Sequence, residues 1–288
     1  MILFGLRDVG SANACLPVIK ILKDQRVFVS VYAEGAVAER FKGQIEFVTG
    51  LTMDSLLDLV KPSLVVVTCA VVGGAVPLGL AREAKNRNLP VVFIDEMWAG
   101  FGAFEWDIFP DGVCVCDEYA KELILKSWTG YLETGIHVTG SPVFDKFHRT
   151  WPEAAKDKLR KNLRLKKKWP VVFFPGQIDG MVEAISVLVE ALNRGDRPAY
   201  LIQRDHPRIT FSGASDSNKI IYAEYKEKLK TLKLGEVIDS SKLTSDEVLA
   251  GSDIVVGIYS TMTVEACYLR KPVIKVCKLK ISPLQRYF

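Results

Sequence analysis

Residues 253–266 read Asp253-Ile254-Val255-Val256-Gly257-Ile258-Tyr259-Ser260-Thr261-Met262-Thr263-Val264-Glu265-Ala266. A short apolar run breaks at a glycine, passes through a hydroxyl-rich turn and continues with helical patterning. Such a run is read as a strand buried on both faces, the kind found in parallel sheets. Ser260, Thr261 and Thr263 fall where the following helix leaves its first N–H groups without partners. Hydroxyls and free N–H groups at a helix N-terminus suit a phosphate or pyrophosphate, and the helix dipole adds to the attraction. Glu265, one turn into the helix, is placed to accept hydrogen bonds from vicinal hydroxyls such as those of a ribose. A second reading stays open, in which Thr261 or Ser260 and a later acid form a capping-box-like arrangement that serves the helix alone.

The same alternation extends outward in both directions. In the second half, strands are predicted at Val171–Phe174, Ala199–Gln203, Glu236–Ile238, Ile254–Val256 and Val273–Val276, with helices at Met181–Asn193, Ala223–Leu232, Ser245–Ala250 and Thr261–Leu269. In the first half, strands are predicted at Ile2–Leu6, Val27–Tyr32, Ile45–Val48, Leu64–Thr68, Val91–Ile94 and Gly112–Val115, with helices at Asn13–Lys23, Ser55–Val60 and Leu78–Asn88. Apolar strands separated by helices imply parallel sheets covered on both sides. The expected fold class is therefore α/β, with two Rossmann-like doubly wound lobes, an interlobe cleft and a second lobe that is short at its C-terminus. The lobes are taken as residues 1–150 and 151–288, with the boundary region between about residues 145 and 170. Thr210–Lys219 is polar, rich in small residues and read as a mobile loop.

Bulk properties exclude several classes. The 288 residues are 49% apolar and 25% charged, close to globular averages. A net charge of +4 gives no whole-molecule argument for nucleic acid. Six scattered cysteines suggest a reducing cytoplasm rather than a disulfide framework. The opening MILFGLRDVG reads as a strand rather than a signal peptide, and no apolar run approaches the ~18–20 residues that span a bilayer. No metal is expected. Cys114 and Cys116 lack a second thiol pair, and His137 and His148 lack ligand spacing.

Open parallel sheets bind ligands beyond the carboxyl ends of their strands, which ranks the loops. Arg7–Asn13 follows the first strand, where Gly10 and Ser11 let the backbone approach a ligand, or where Ser11 or Asn13 simply caps a helix. No G-x-G-x-x-G is present, which argues against a dinucleotide site despite Glu34 at the end of the second strand. Gly176 and Gln177 follow Val171–Phe174. Arg204, His206 and Arg208 follow Ala199–Gln203; guanidinium forks match phosphate oxygens, and His206 suits phosphate or proton transfer. Asp95 and Glu96 end a first-lobe strand and are the general-base candidates, or else a turn cap and a solvated acid. The aromatics Trp98, Phe101, Phe104, Trp106 and Phe109 line a sugar-stacking pocket or belong to the core.

Val138-Thr139-Gly140-Ser141-Pro142-Val143-Phe144-Asp145 resembles the V-T-G-x-P-x-x-D segment that closes the first lobe of GT-B-fold proteins. These include nucleotide-sugar glycosyltransferases, UDP-N-acetylglucosamine 2-epimerases and CDP-glycerol glycerophosphotransferases. Residues 252–266 with Lys271-Pro272-Val273-Ile274 are similar to their donor-phosphate segment, and Asp205-His206-Pro207-Arg208 resembles a His-Pro turn of two branches. The resemblance implies a UDP- or CDP-type donor as substrate, with no separate cofactor, and a sugar or lipid-linked acceptor in polysaccharide or cell-envelope biosynthesis. It places phosphate on Ser260, Thr261 and Thr263, ribose on Glu265, and the diphosphate beside His206, Gly176 and Gln177. It implies metal-independent glycosyl transfer. Ile94-Asp95-Glu96-Met97-Trp98 stands where epimerases carry His-x-Glu-x-Gly-x-Arg, which counts against epimerase chemistry; a UDP-N-acetylglucosamine 2-epimerase-like isomerase or hydrolase stays as the alternative. Family members usually extend further at the C-terminus, which keeps a fragment or a non-catalytic binding module in view. The helix-like basic run Lys156–Lys168 is read either as a solvated helix and interdomain linker or as a contact with anionic lipid at the inner face of the membrane.

Overall fold

The computed structural model describes residues 1–7, 9–43, 45–68, 75–95, 98, 108–149, 152–177, 179–205 and 215–276. The chain divides into two compact units, the first ending at Asp145 and the second starting at Lys146.

The first unit runs β1 (Ile2–Leu6), α1 (Val9–Asp24), β2 (Val29–Ala33), α2 (Gly35–Arg40), α3 (Met53–Val60), β3 (Leu64–Thr68), α4 (Ala75–Asn86), β4 (Val91–Ile94), β5 (Gly112–Val115), α5 (Glu118–Ser127) and β6 (Ile136–Val138). Its six strands are all parallel, in the order β2-β1-β3-β4-β5-β6. Side chains alternate across the pleat, so each strand feeds two cores. Leu3, Tyr32, Val65, Val67 and Phe93 pack on one face with Leu56, Leu57 and Leu80. Phe4, Leu6, Val31 and Val66 pack on the other with Ala12, Cys15 and Ile19.

The second unit runs α6 (Pro152–Leu163), β7 (Val171–Pro175), α7 (Met181–Asn193), β8 (Ala199–Arg204), α8 (Asp216–Leu229), β9 (Gly235–Val237), α9 (Ser245–Gly251), β10 (Ile254–Gly257), α10 (Thr261–Tyr268) and β11 (Val273–Lys275). Its five parallel strands lie in the order β11-β10-β7-β8-β9. The chain winds outward from β7 through β8 to β9, then returns to the other side of β7 for β10 and β11. The expected α/β class with two doubly wound halves is what the structure has. Among the described residues no helix is long and apolar enough to cross a membrane.

Several expectations change. Ile45–Val48 is not a strand; it meets its neighbours at single bridges, Tyr32 with Val48 and Lys42 with Ile45. Ile136–Val138, too short to show an apolar period, is one. Arg7–Asn13 is not a loop throughout, because α1 begins at Val9 and takes in Gly10, Ser11 and Asn13. Neither Ser11 nor Asn13 is therefore the N-cap. The polar segment Thr210–Lys219 is helical from Asp216, with Ser215 capping α8 by accepting from the Asn218 amide; residues 210–214 lie outside the described residues.

The basic run begins as the expected helix, but that helix is not merely solvated. It is α6, whose Leu159 is buried. Arg160 donates to an Asp253 carboxylate oxygen at 2.6 Å and to the Lys166 and Trp169 carbonyls. Lys158 pairs with Glu247 at 2.9 Å. Lys161, Arg164, Lys167 and Lys168 are exposed. Helix α6 lies directly on α9 because Gly251 has no side chain: a Cβ there would meet Leu159 Cδ2 at 2.8 Å and the Ala155 carbonyl oxygen at 3.0 Å. The Gly251→Ala variant is therefore expected to lose about 1–3 kcal/mol through overpacking. Urea denaturation of the two proteins measures the loss, and an unchanged midpoint would show that α6 does not bear on α9 as described.

Candidate functional site

The second sheet has its switch point between β7 and β10, where the chain reverses its direction of winding. Strands diverge there and leave a crevice at their carboxyl ends. Two loops border it. After β7, Gly176 donates its amide to the Arg204 carbonyl at 2.7 Å, and Gln177 is buried. After β10 comes the turn Ile258–Ser260. The two are joined directly, since Gln177 Oε1 accepts from the Tyr259 amide at 2.9 Å. The Tyr259 hydroxyl reaches on to Asp179 at 3.2 Å.

Ser260 is the N-cap of α10, its hydroxyl accepting from the Met262 amide at 3.3 Å. Thr263 locks the turn by donating both its amide and its hydroxyl, at 2.9 and 2.6 Å, to the Ser260 carbonyl. Its methyl occupies the space above Gly257, where an added Cβ would lie 2.5 Å from Thr263 Cγ2. The strand thus passes into the helix with no room for any side chain at residue 257.

Glu265 takes no part in the cap. A capping box requires the acid at the third helical position, which here is Thr263; the second unit has a true one elsewhere, Thr244 with Glu247 on α9. Glu265 is only 6% exposed, and its carboxylate lies 3.8 Å from Lys146 Nζ. Burial pushes its pKa up; Lys146 opposes this and Asp246 adds to it. Lys146 also pairs with Asp246 at 2.8 Å.

The β8 end is occupied by local contacts. Arg204 donates to the Leu243 carbonyl, its Nε is buried without a hydrogen-bond partner, and burial works against its charge, opposed by Asp239, Asp205 and Glu247. Asp205 accepts from Tyr225 and Gln203, and Lys226 lies 3.5 Å away. His206 and Arg208 lie outside the described residues.

In the first unit, Asp95 follows β4, is buried, and donates its amide to the Cys114 carbonyl at 2.8 Å. It acts electrostatically on the Cys116 thiol, whose pKa is pushed up to about 12 by burial and then by Asp117 and Asp95. Burial also raises the Cys114 thiol, so neither is a poised nucleophile. Trp98 stacks near Phe144 and donates to Asp117 at 2.8 Å. Phe109 instead joins Trp128 and Tyr131. Glu96, Phe101, Phe104 and Trp106 lie outside the described residues. Gly10 and Ser11 sit in the first turn of α1, beyond the carboxyl end of β1.

The structure therefore brings together Gly176, Gln177, Ser260, Thr261, Thr263 and Glu265 at one switch point, and holds Asp95 in the other unit. Lys146 and Asp246 were missed. They stand one hundred residues apart, and no local spacing ties either of them to Glu265.

Solved structures similar to the chain over almost its whole length include the following. S. aureus MnaA, in a co-structure with UDP, matches with a TM-score of 0.71 at 12% identity, covering 97% of this chain and 80% of that one. A UDP-GlcNAc 2-epimerase from Neisseria meningitidis bound to UDP-GlcNAc gives 0.67 at 13%, covering 99% and 84%. The chain has the GT-B fold. A glycosyltransferase from Rickettsia africae gives 0.61 at 14%, covering 96% and 80%. No protein-family model and no curated protein sequence matches the chain.

Replacing Gln177 by Leu removes the acceptor of the Tyr259 amide in a buried setting. The variant is expected to lose about 1–3 kcal/mol of stability, the cost of an unsatisfied buried donor. Denaturant titration combined with amide exchange at Tyr259 checks this. Unchanged exchange would mean that the two loops are not joined through this bond.

Proposed function

We propose that the chain is a nucleotide-sugar enzyme of glycosyltransferase type, its second unit binding the nucleoside diphosphate of an activated donor. The observation that carries this reading is the pairing, at the β7–β10 switch point, of a capped helix N-terminus with a buried carboxylate one turn further on. The N-terminus of α10 and the Ser260 and Thr261 hydroxyls would meet the diphosphate, with Gly176 and Gln177 on the other side of it, while Thr263, bonded to the Ser260 carbonyl, would hold the turn in shape. Glu265 would accept from both ribose hydroxyls. Fixed dipoles of this kind stabilise charge developing on a departing diphosphate, so the reaction needs no metal ion in this scheme. The first unit would hold the acceptor, with Asp95 or Glu96 taking the proton from its hydroxyl. The UDP and UDP-GlcNAc in the similar structures agree with a nucleotide-sugar donor.

A second reading, isomerisation or hydrolysis of UDP-N-acetylglucosamine, draws on the likeness to the epimerase structure. The segment 94–100, which lacks the His-x-Glu-x-Gly-x-Arg pattern, speaks against it. Turnover of UDP-N-acetylglucosamine with no acceptor present would favour it over transfer.

Calorimetric titration with UDP, CDP, GDP, ADP and NAD tests the site. One nucleoside diphosphate is expected to bind, and Glu265→Ala is expected to weaken it by about 1–3 kcal/mol through lost charge-assisted hydrogen bonds. Full-strength binding by a Ser260→Ala/Thr261→Ala protein would remove the diphosphate assignment. Once an acceptor is found, Asp95→Asn is expected to slow transfer by about 10²–10⁴-fold while leaving nucleotide affinity in place. A normal rate would pass the role of base to another residue.

A further inference from the structure

Lys146 is the first residue of the second unit and reaches two carboxylates, Asp246 at 2.8 Å and Glu265 at 3.8 Å. On a surface, such pairs contribute little. This one differs because the two acids are unlike: the Asp246 side chain is 53% exposed and that of Glu265 only 7%. Asp246 lies in the first turn of α9, where the helix dipole favours a negative charge. It is an anchor for the ammonium group. Glu265 is the group that needs the cation, since a buried carboxyl tends to take up a proton.

That proton matters chemically. An ionised carboxylate offers both oxygens as acceptors, whereas a protonated one spends an oxygen as a donor. Only the ionised form presents a separate charged oxygen to each of two adjacent hydroxyls.

We propose that Lys146 is the positioning residue of the ribose subsite: anchored by Asp246, it keeps the Glu265 carboxylate ionised and oriented to receive a vicinal diol. The inference rests on the assignment of Glu265 to ribose made above.

Among the described residues, few other charges bear on Glu265. Lys146 comes from the 3-10 helix Pro142–Arg149, and Asp246 from α9. Strand β10 carries no titratable side chain, β11 carries Lys275, and Glu247 on α9 is engaged by Lys158. Removing the ammonium group would leave Glu265 buried beside Asp246 without the one cation that, among the described residues, offsets burial and repulsion. Its carboxyl would then hold a proton to higher pH, and diol binding would fail from the acid side upward. Arginine at the same position keeps the charge and the reach.

The test uses the full chain as wild type, Lys146→Met, Lys146→Arg and Glu265→Gln, each confirmed as folded by circular dichroism. Each is titrated calorimetrically with UDP, CDP, GDP and ADP between about pH 5 and pH 8. The Glu265 carboxyl is followed by NMR without nucleotide. Lys146→Met is expected to lose at least about tenfold in affinity, a charge-assisted hydrogen bond's worth. The acid limb of its affinity profile and the Glu265 titration midpoint are both expected to move to higher pH, and Lys146→Arg to restore both. If wild type binds and Glu265→Gln weakens binding, but the Lys146→Met profile overlays that of wild type, the Lys146 proposal alone is overturned. An identical Glu265 midpoint in wild type and Lys146→Met overturns it as well. If wild type binds none of UDP, CDP, GDP and ADP, the reading of Glu265 falls and takes this proposal with it.

Discussion

Both sheets are parallel throughout, and most of the remaining architecture follows from that constraint. A parallel neighbour is reached only by a crossover over one face of the sheet. Every strand therefore opens its carboxyl end on the same edge, and the helices cover both faces. In the second unit, β8 and β9 lie on one side of β7, and β10 and β11 on the other. The reversal splits the edge between β7 and β10, and the Tyr259–Gln177 hydrogen bond closes the base of that split. The groups held there are backbone amides, hydroxyls and one buried acid.

The interior strands were legible because they are apolar on both faces. Val65, Val66 and Val67 are all buried, as are Val171 to Phe174, and no alternation was needed to find them. The elements that escaped are those whose pattern is set by partners. Ile136–Val138 is a three-residue edge strand with two exposed positions. Helix α6 was legible as a basic helix, but its packed side was not, because its charges dominate the composition. Only the fold shows Arg160 reaching Asp253 and Leu159 seated on Gly251.

The candidate site divides in the same way. Ser260, Thr261, Thr263 and Glu265 share one turn and a half of chain, so their residue types and spacing disclosed them. Gln177 was legible from its place after a buried strand. The electrostatic setting of Glu265 was not, because Lys146 and Asp246 come from different elements and meet only in the folded unit. The two explanations first open for Glu265, ligand and cap, are separated by position: the third helical residue is Thr263, which already bonds to the Ser260 carbonyl.

The central strand of the second sheet also has a bearing on how the protein comes into being. One neighbour of β7 is the next strand made; the other, β10, arrives much later, and the bond that joins their loops links residues 82 positions apart. Contacts so distant in sequence form slowly, since the loop entropy must be met before they contribute. During synthesis β7, β8 and β9 can assemble while one edge of β7 still lacks its partner. That open edge is a template for stray pairing until Ile254–Gly257 emerges. The switch point therefore comes into existence only when β10 arrives, and the strand that builds the site is also the one that covers the open edge of β7.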